Sequence, residues 1–158
     1  NDLKGETHGD FEKVLVGLAR PLAVNDAEWL LKAMKALYQA GEKRLGTDES
    51  KFIEILCKRS LPQLRQTTLE YKNFSKNTLQ KSIEKEMSGN LEELLVSIVK
   101  CAISTPAYFA EKLNKSMKGA GTDETTLTRV MVSRGEVDML DIRAEYKTLY
   151  KRSLYKAI

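Results

Sequence analysis

Apolar residues recur at helical spacing along most of this chain. In the runs Phe52–Leu56 and Leu91–Val99, apolar side chains stand three and four positions apart, which is the period of one face of an α-helix. No stretch shows the apolar and polar alternation that is typical of a half-buried strand. The pattern therefore predicts an all-α fold. The predicted helices lie near 10–19, 26–39, 48–58, 61–72, 77–86, 91–102, 106–117, 123–133 and 137–147, and a last one begins near 152.

The same pattern contains an internal repeat. The segment Arg44–Glu49 returns in similar form 75 positions later as Gly119–Glu124, and the match continues to the pair Ile83 and Ile158. A second match, at an offset of 80, pairs residues 3–16 with residues 83–96. One structural unit used repeatedly accounts for both. We expect residues 1–24 to be the tail of a preceding repeat and a linker, 25–103 a complete repeat of five short helices, and 104–158 the truncated first part of a further repeat.

Charge and composition narrow the function classes. The chain carries 26 Lys and Arg against 22 Asp and Glu, interspersed, so its net charge of +4 gives a weak preference for anionic partners. No nucleic-acid-binding motif occurs in the sequence, and His8 has no recognisable nucleophile partner, so neither nucleic acid nor catalysis is predicted. Cys57 and Cys101 stand among apolar residues, which predicts buried, reduced thiols in a cytoplasmic protein. The longest apolar run, Leu94–Val99, is too short to cross a bilayer.

Glycines cluster immediately before two of the predicted helices. The segments Thr47–Glu49 and Thr122–Glu124 have the composition of a helix N-cap followed by an acidic first turn. Capping alone is one interpretation of these segments. It leaves unexplained the glycines at 41 and 46 in the first loop and at 119 and 121 in the second. Because glycine permits backbone shapes in which several carbonyls converge, a second interpretation is a cation site.

Converging carbonyl oxygens suit Ca²⁺, which takes about six to eight oxygen ligands, some of them negatively charged. Glu86 lies 40 positions after Gly46 in a later turn between helices, and side-by-side packing of helix pairs would bring its carboxylate to the loop. Three carbonyls and a bidentate glutamate supply about five ligands, so an anionic oxygen such as a lipid phosphate would be needed to complete the shell. The alternative for Glu86 is a solvated acid at a helix end.

The loop sequences resemble the calcium loop of the annexin family. The segment Met117–Glu124 and the weaker match Ala40–Thr47 fit the family pattern of Gly-Xaa-Gly-Thr followed 38 residues later by an acid, since 38 residues separate Thr47 from Glu86. The resemblance implies five-helix repeats in a right-handed superhelix, with calcium loops on one convex face. It also implies a cytoplasmic protein that calcium recruits to anionic phospholipid membranes, and it leaves room for protein partners bound through an N-terminal region.

Site residues are carried over from the resemblance position by position. The complete calcium site would use the carbonyls of Gly41, Arg44 and Gly46 with the Glu86 carboxylate. The later site would use the carbonyls of Met117, Gly119 and Gly121, while its matching acid would fall at position 161, beyond Ile158. Accessory calcium positions would be Thr47 with Glu49 and Thr122 with Glu124, and Glu6 matches the acid of an earlier repeat. Lipid contacts would come from Lys43, Leu45, Lys118 and the Arg44 side chain, with ordinary solvation as the alternative for the basic residues.

The sequence also departs from the family pattern. Annexins usually carry four repeats, and this chain is shorter than that. The residues directly after Lys35 do not form the glycine loop that the pattern leads one to expect there, which suggests that a stretch of sequence is missing. A competing hypothesis is that the two partial repeats complement each other, with Glu6 supplying the acid for Gly119 and Gly121. In another function class, the chain would be a helical scaffold that binds acidic partners without calcium.

Overall fold

Helices account for most of the described part of the protein. The computed structural model describes residues 27–41, 48–119 and 121–158, and within these ranges it contains helices and no strand. The predicted all-α class is confirmed. The helix predicted at 10–19 and the repeat tail predicted at 1–24 lie outside the described residues. The helices are α1 Ala27–Ala40, α2 Glu49–Cys57, α3 Leu61–Phe74, α4 Leu79–Glu86, α5 Gly89–Ser116, α6 Glu124–Arg134 and α7 Met139–Tyr150, followed by a 3₁₀ turn Leu154–Lys156.

Local sequence signals set the helix starts. Ser60 and Gln63 form a capping box at the start of α3, and Pro62 stands in its first turn, where no main-chain N–H is needed. Thr78 caps α4 by accepting a hydrogen bond from the Lys81 N–H at 3.3 Å. These caps fix where each helix begins, and the apolar period then decides which face is buried.

Helix α5 is bent within its length. Ser104 has extended backbone angles of φ −158° and ψ 105°, so α5 consists of two helical segments joined at this residue. Pro106 lies two positions later, in the first turn of the second segment, where its missing N–H costs no hydrogen bond. By length and composition alone α5 would be long enough to cross a membrane. The bend divides it, and Leu95 and Val99 are fully buried in a protein core.

The chain divides into two units between Ile103 and Ser104. In the first unit, α1 packs against α2 and α3. The centre of this unit is a single apolar cluster that includes the fully buried side chains of Leu37, Phe52 and Tyr71. Lys35, where a missing stretch was suspected, lies inside the uninterrupted helix α1.

The second unit has a smaller core. It consists of buried apolar side chains from the end of α5, from α6 and α7, and from the 3₁₀ turn. Tyr146 is fully buried and its hydroxyl donates to the Asn114 side-chain oxygen at 3.3 Å. Arg134 makes two hydrogen bonds to the Asp138 carboxylate, at 2.8 and 2.7 Å, and its guanidinium lies 4.7 Å from the ring centre of Phe109. The polar contacts tie the ends of these helices together around the apolar centre.

Candidate calcium loops

The first candidate loop begins where α1 ends. The Gly41 N–H donates to the Leu37 carbonyl at 3.1 Å, which continues the helical hydrogen-bonding pattern by one residue. At the far end of the loop, the Asp48 N–H donates to the Ala40 carbonyl at 3.0 Å. The two ends of the loop are therefore held together by a main-chain hydrogen bond.

Glu86 stands beside the start of this loop. It is the last residue of α4 and is half-buried. A Cβ atom at position 41 would lie 3.6 Å from Glu86 Cγ and 3.2 Å from Phe52 Cζ. The absence of a side chain at Gly41 thus leaves space that Glu86 and the fully buried Phe52 border. The acid that the sequence paired with the glycine loop is next to it in the structure.

The remaining residues assigned to the first site are divided by what the structure describes. Glu49 is the first residue of α2 and is half-buried. The other residues assigned to it lie outside the described part of the chain; they are Lys43, Arg44, Leu45, Gly46 and Thr47. Glu6, which was matched to the acid of an earlier repeat, also lies outside the described part.

The second candidate loop has a backbone that needs glycine. Gly119 has φ +118° and Gly121 has φ +150°, both in the region that L-residues rarely adopt. The Lys118 N–H donates to the Lys115 carbonyl at 3.3 Å, and the Asp123 N–H donates to the Ser116 carbonyl at 2.7 Å. This loop too is closed at its base.

The second loop presents its assigned residues to the surface. Met117 is half-buried, and the others are exposed: Lys118, Gly119, Gly121, Thr122 and Glu124. Exposure leaves their oxygens accessible to an ion or to an external ligand.

Aspartates at the ends of both loops cap the helices that follow. The Lys51 N–H donates to Asp48 Oδ1 at 3.3 Å, and the Thr126 N–H donates to Asp123 Oδ1 at 3.0 Å. The hydrogen bond from the Thr126 main chain lowers the pKa of the Asp123 carboxyl below its ordinary value. The capping interpretation is therefore correct for these aspartates, and in the second loop it coexists with the positive φ angles of Gly119 and Gly121.

Among the residues that the structure describes, no group of three or more His, Cys, Asp or Glu side chains could hold a metal ion.

Two features of the loops were not predicted from the sequence. The first is that a main-chain hydrogen bond closes each loop. Because main-chain atoms are the same in nearly every residue, such a contact cannot be recognised from residue type. The second is the Phe52 ring against Gly41. The sequence indicated that Phe52 is buried, because Phe52 belongs to the apolar face of α2. It did not indicate that the ring lies against a glycine.

Comparison with known proteins identifies relatives along the whole chain. The family model Annexin matches residues 32–98 and 108–158. Annexin A3 of Mus musculus is 52% identical over 162 residues, which takes in 100% of this chain and 50% of that protein. The solved structure of annexin III has a TM-score of 0.89 at 51% identity, and the match covers 99% of this chain and 50% of that one. A structure of calcium-bound annexin (Sm)1 has a TM-score of 0.80 at 31% identity, with 99% and 47% covered.

The extent of these matches is itself informative. The chain spans about half the length of the annexin A3 to which it is similar. The alignment with mouse annexin A3 is 162 residues long for a chain of 158. Because the two lengths are nearly equal, this chain lacks no long stretch near Lys35 relative to that protein.

Proposed function

The chain belongs to the annexin family, and on that premise we propose that it binds anionic phospholipid membranes in a calcium-dependent manner. In this proposal a cytoplasmic protein is recruited to the membrane when calcium rises. The first loop would hold the ion with the carbonyls of Gly41, Arg44 and Gly46 and with the Glu86 carboxylate. The second loop would contribute the carbonyls of Met117, Gly119 and Gly121.

The observation that carries the proposal is the position of Glu86 beside Gly41. A glutamate whose Cγ lies 3.6 Å from the Cβ position of a loop glycine can turn its carboxylate toward the loop carbonyls. A ligand set of neutral carbonyl oxygens and one carboxylate suits a hard divalent cation. Such a set does not fill the coordination shell, so some positions stay open to other oxygen ligands. A bound Ca²⁺ would supply positive charge at which a lipid phosphate can complete the coordination.

The accessory positions and the basic residues have secondary roles in this proposal. Glu49 and Glu124 are each the first residue of the helix that follows a loop, where they would add negative charge to the site. Lys118 is exposed in the second loop, and a lysine near an anionic surface contributes about 1 kcal/mol of attraction. Lys43 and Leu45 would take corresponding positions at the first loop.

Co-sedimentation with phosphatidylserine vesicles tests the proposal. The parent chain should sediment with vesicles in calcium and remain in solution with a chelator. Glu86→Gln should need at least several-fold more calcium, because it removes the carboxylate ligand. Glu84→Gln is a matched control, since Glu84 is an exposed acid on the same helix whose carboxylate accepts a hydrogen bond from Gln80 at 2.7 Å.

Two results would contradict the proposal. Equal binding of the parent chain in calcium and in chelator would favour a charged scaffold, especially if salt then released the protein. Equal calcium requirements for Glu86→Gln and Glu84→Gln would remove Glu86 from the site.

A further inference from the structure

The two candidate loops are closed by the same pair of hydrogen bonds. At the base of each loop, the main-chain N–H of an aspartate donates to the carbonyl of the last residue of the preceding helix. The distances are 3.0 Å from Asp48 to Ala40 and 2.7 Å from Asp123 to Ser116. The carboxylate of each aspartate accepts a second bond from the following helix, from Lys51 in one unit and from Thr126 in the other. One residue thus joins the end of one helix, the end of the loop and the start of the next helix.

The closure is the same although the loops differ. Seven residues, 41–47, separate Ala40 from Asp48, whereas six residues, 117–122, separate Ser116 from Asp123. The loops differ in sequence as well, apart from a shared lysine and the Gly-Thr that precedes each aspartate. A contact that recurs across a change in loop length and sequence is a property of the aspartate and its two helices.

We propose that Asp48 and Asp123 are positioning residues, whose capping carboxylates hold the loops closed so that the loop carbonyls are oriented before calcium arrives. This inference rests on the proposed calcium function. The cap fixes the peptide plane of the aspartate, and its N–H is thereby aimed at the helix-end carbonyl. Without the cap, the ion itself would have to order the loop, and that ordering would weaken its binding.

Substitutions at Asp48 separate positioning from charge. Asp48→Ala removes the cap and the charge, whereas Asp48→Asn removes the charge and keeps an oxygen that can cap. We expect Asp48→Ala to raise the calcium concentration at half-maximal binding to phosphatidylserine vesicles by about fivefold to tenfold, as for loss of one cap. Asp48→Asn should restore most of the parent value.

A second helix cap in the same unit provides the matched control. Ser60 caps α3 by accepting a hydrogen bond from the Gln63 N–H at 3.4 Å, and α3 carries none of the residues assigned to either loop. Ser60→Ala should destabilise the unit comparably and leave the calcium midpoint near that of the parent. Equal calcium shifts in Ser60→Ala and Asp48→Ala would overturn the inference, because general destabilisation would then explain both. An Asp48→Asn shift as large as that of Asp48→Ala would overturn it in favour of a direct charge effect.

Hydrogen exchange tests the closure of the loops by Asp48 and Asp123 independently of membrane binding. In calcium-free parent protein, the main-chain amides of residues 48 and 123 should exchange slowly, and alanine at either position should accelerate exchange there by about fivefold to tenfold. Fast exchange at both amides in the parent would contradict the loop closure, whatever the result with lipid. Slow exchange in a parent that shows no calcium-dependent binding would support the loop closure, while the proposed membrane function would fail.

Discussion

Gly41, at the start of the first loop, lies against a buried aromatic ring. A Cβ at this position would meet Phe52 Cζ at 3.2 Å, tighter than an ordinary van der Waals contact, and Glu86 Cγ at 3.6 Å. Phe52 has no exposed surface and is held on all sides by the core of the first unit. Its ring therefore has little freedom to move away from an added methyl group.

Gly41→Ala should lower the free energy of unfolding by about 1–2 kcal/mol, as expected for overpacking a buried contact. Urea denaturation measures this change. The double variant Gly41→Ala, Phe52→Leu tests the cause, because a smaller side chain at 52 makes room for the methyl group. The double variant should lose less stability than the sum of the single changes, and additive losses would show that the Phe52 contact is not the source.

Cys57 should be the less reactive of the two cysteines. Its side chain is 2% exposed, and burial raises its thiol pKa to about 11 from the ordinary 9.0, whereas Cys101 is half-buried. At pH 8, iodoacetamide should modify Cys101 first and reach Cys57 mainly after unfolding, as peptide mass spectrometry can measure. Comparable rates in urea serve as the control, and rapid labelling of native Cys57 would contradict its burial.

The same raised pKa predicts an alkaline dependence of stability. The unfolded state loses the thiol proton near pH 9, while the folded state retains it up to about pH 11. The contribution of Cys57 to stability is thus constant below about pH 9 and falls as the pH rises toward 11. Cys57→Ala should reduce this alkaline loss relative to the parent chain in denaturation measurements at pH 8 and pH 10.5.

Among the elements, α5 has a polar side chain that caps its second segment. At the bend, the Ala107 N–H donates to Ser104 Oγ at 3.2 Å, so Ser104 caps the second helical segment. Ser104→Ala should destabilise the second unit by about 1 kcal/mol. Amide hydrogen exchange should accelerate in the first turn after the bend. Ser97→Ala is the control, since Ser97 lies within the first segment and donates to the Glu93 carbonyl at 2.7 Å; equal effects of the two changes would argue against the cap.

The helices show what apolar period predicts well and where it fails. The sequence predicted helices at 48–58 and 61–72, and the structure has Glu49–Cys57 and Leu61–Phe74. The prediction of an α-helix from near 152 was wrong, because the structure has a 3₁₀ turn there, Leu154–Lys156. The reason is local: Lys151 adopts a left-handed conformation with φ +57°, which ends α7 and redirects the chain. Periodicity carries no information about such a conformation in a residue other than glycine.

At the scale of the whole chain, the repeat was visible in the sequence because matching apolar positions and glycines both recur. The structure divides the chain between Ile103 and Ser104, and the assignment of 104–158 to a further repeat stays a prediction. The choice of Glu86 came from its distance after Gly46 and from the resemblance to the annexin loop pattern, and the structure places Glu86 Cγ beside Gly41. The closures at Asp48 and Asp123 did not follow from the sequence, because they join main-chain atoms and depend on how two helix ends meet.

The proposed membrane function requires the chain to act as a coupled binder of calcium and lipid. If loop oxygens and lipid phosphate share one ion, calcium and vesicles must tighten each other's binding by the same factor. The calcium midpoint at increasing phosphatidylserine and the vesicle affinity at increasing calcium should therefore yield equal factors. Glu86→Gln should reduce both factors together, since it weakens the protein side of the shared site. Unequal factors, or vesicle binding that fades with salt at constant calcium affinity, would indicate attraction to the surface without a shared ion.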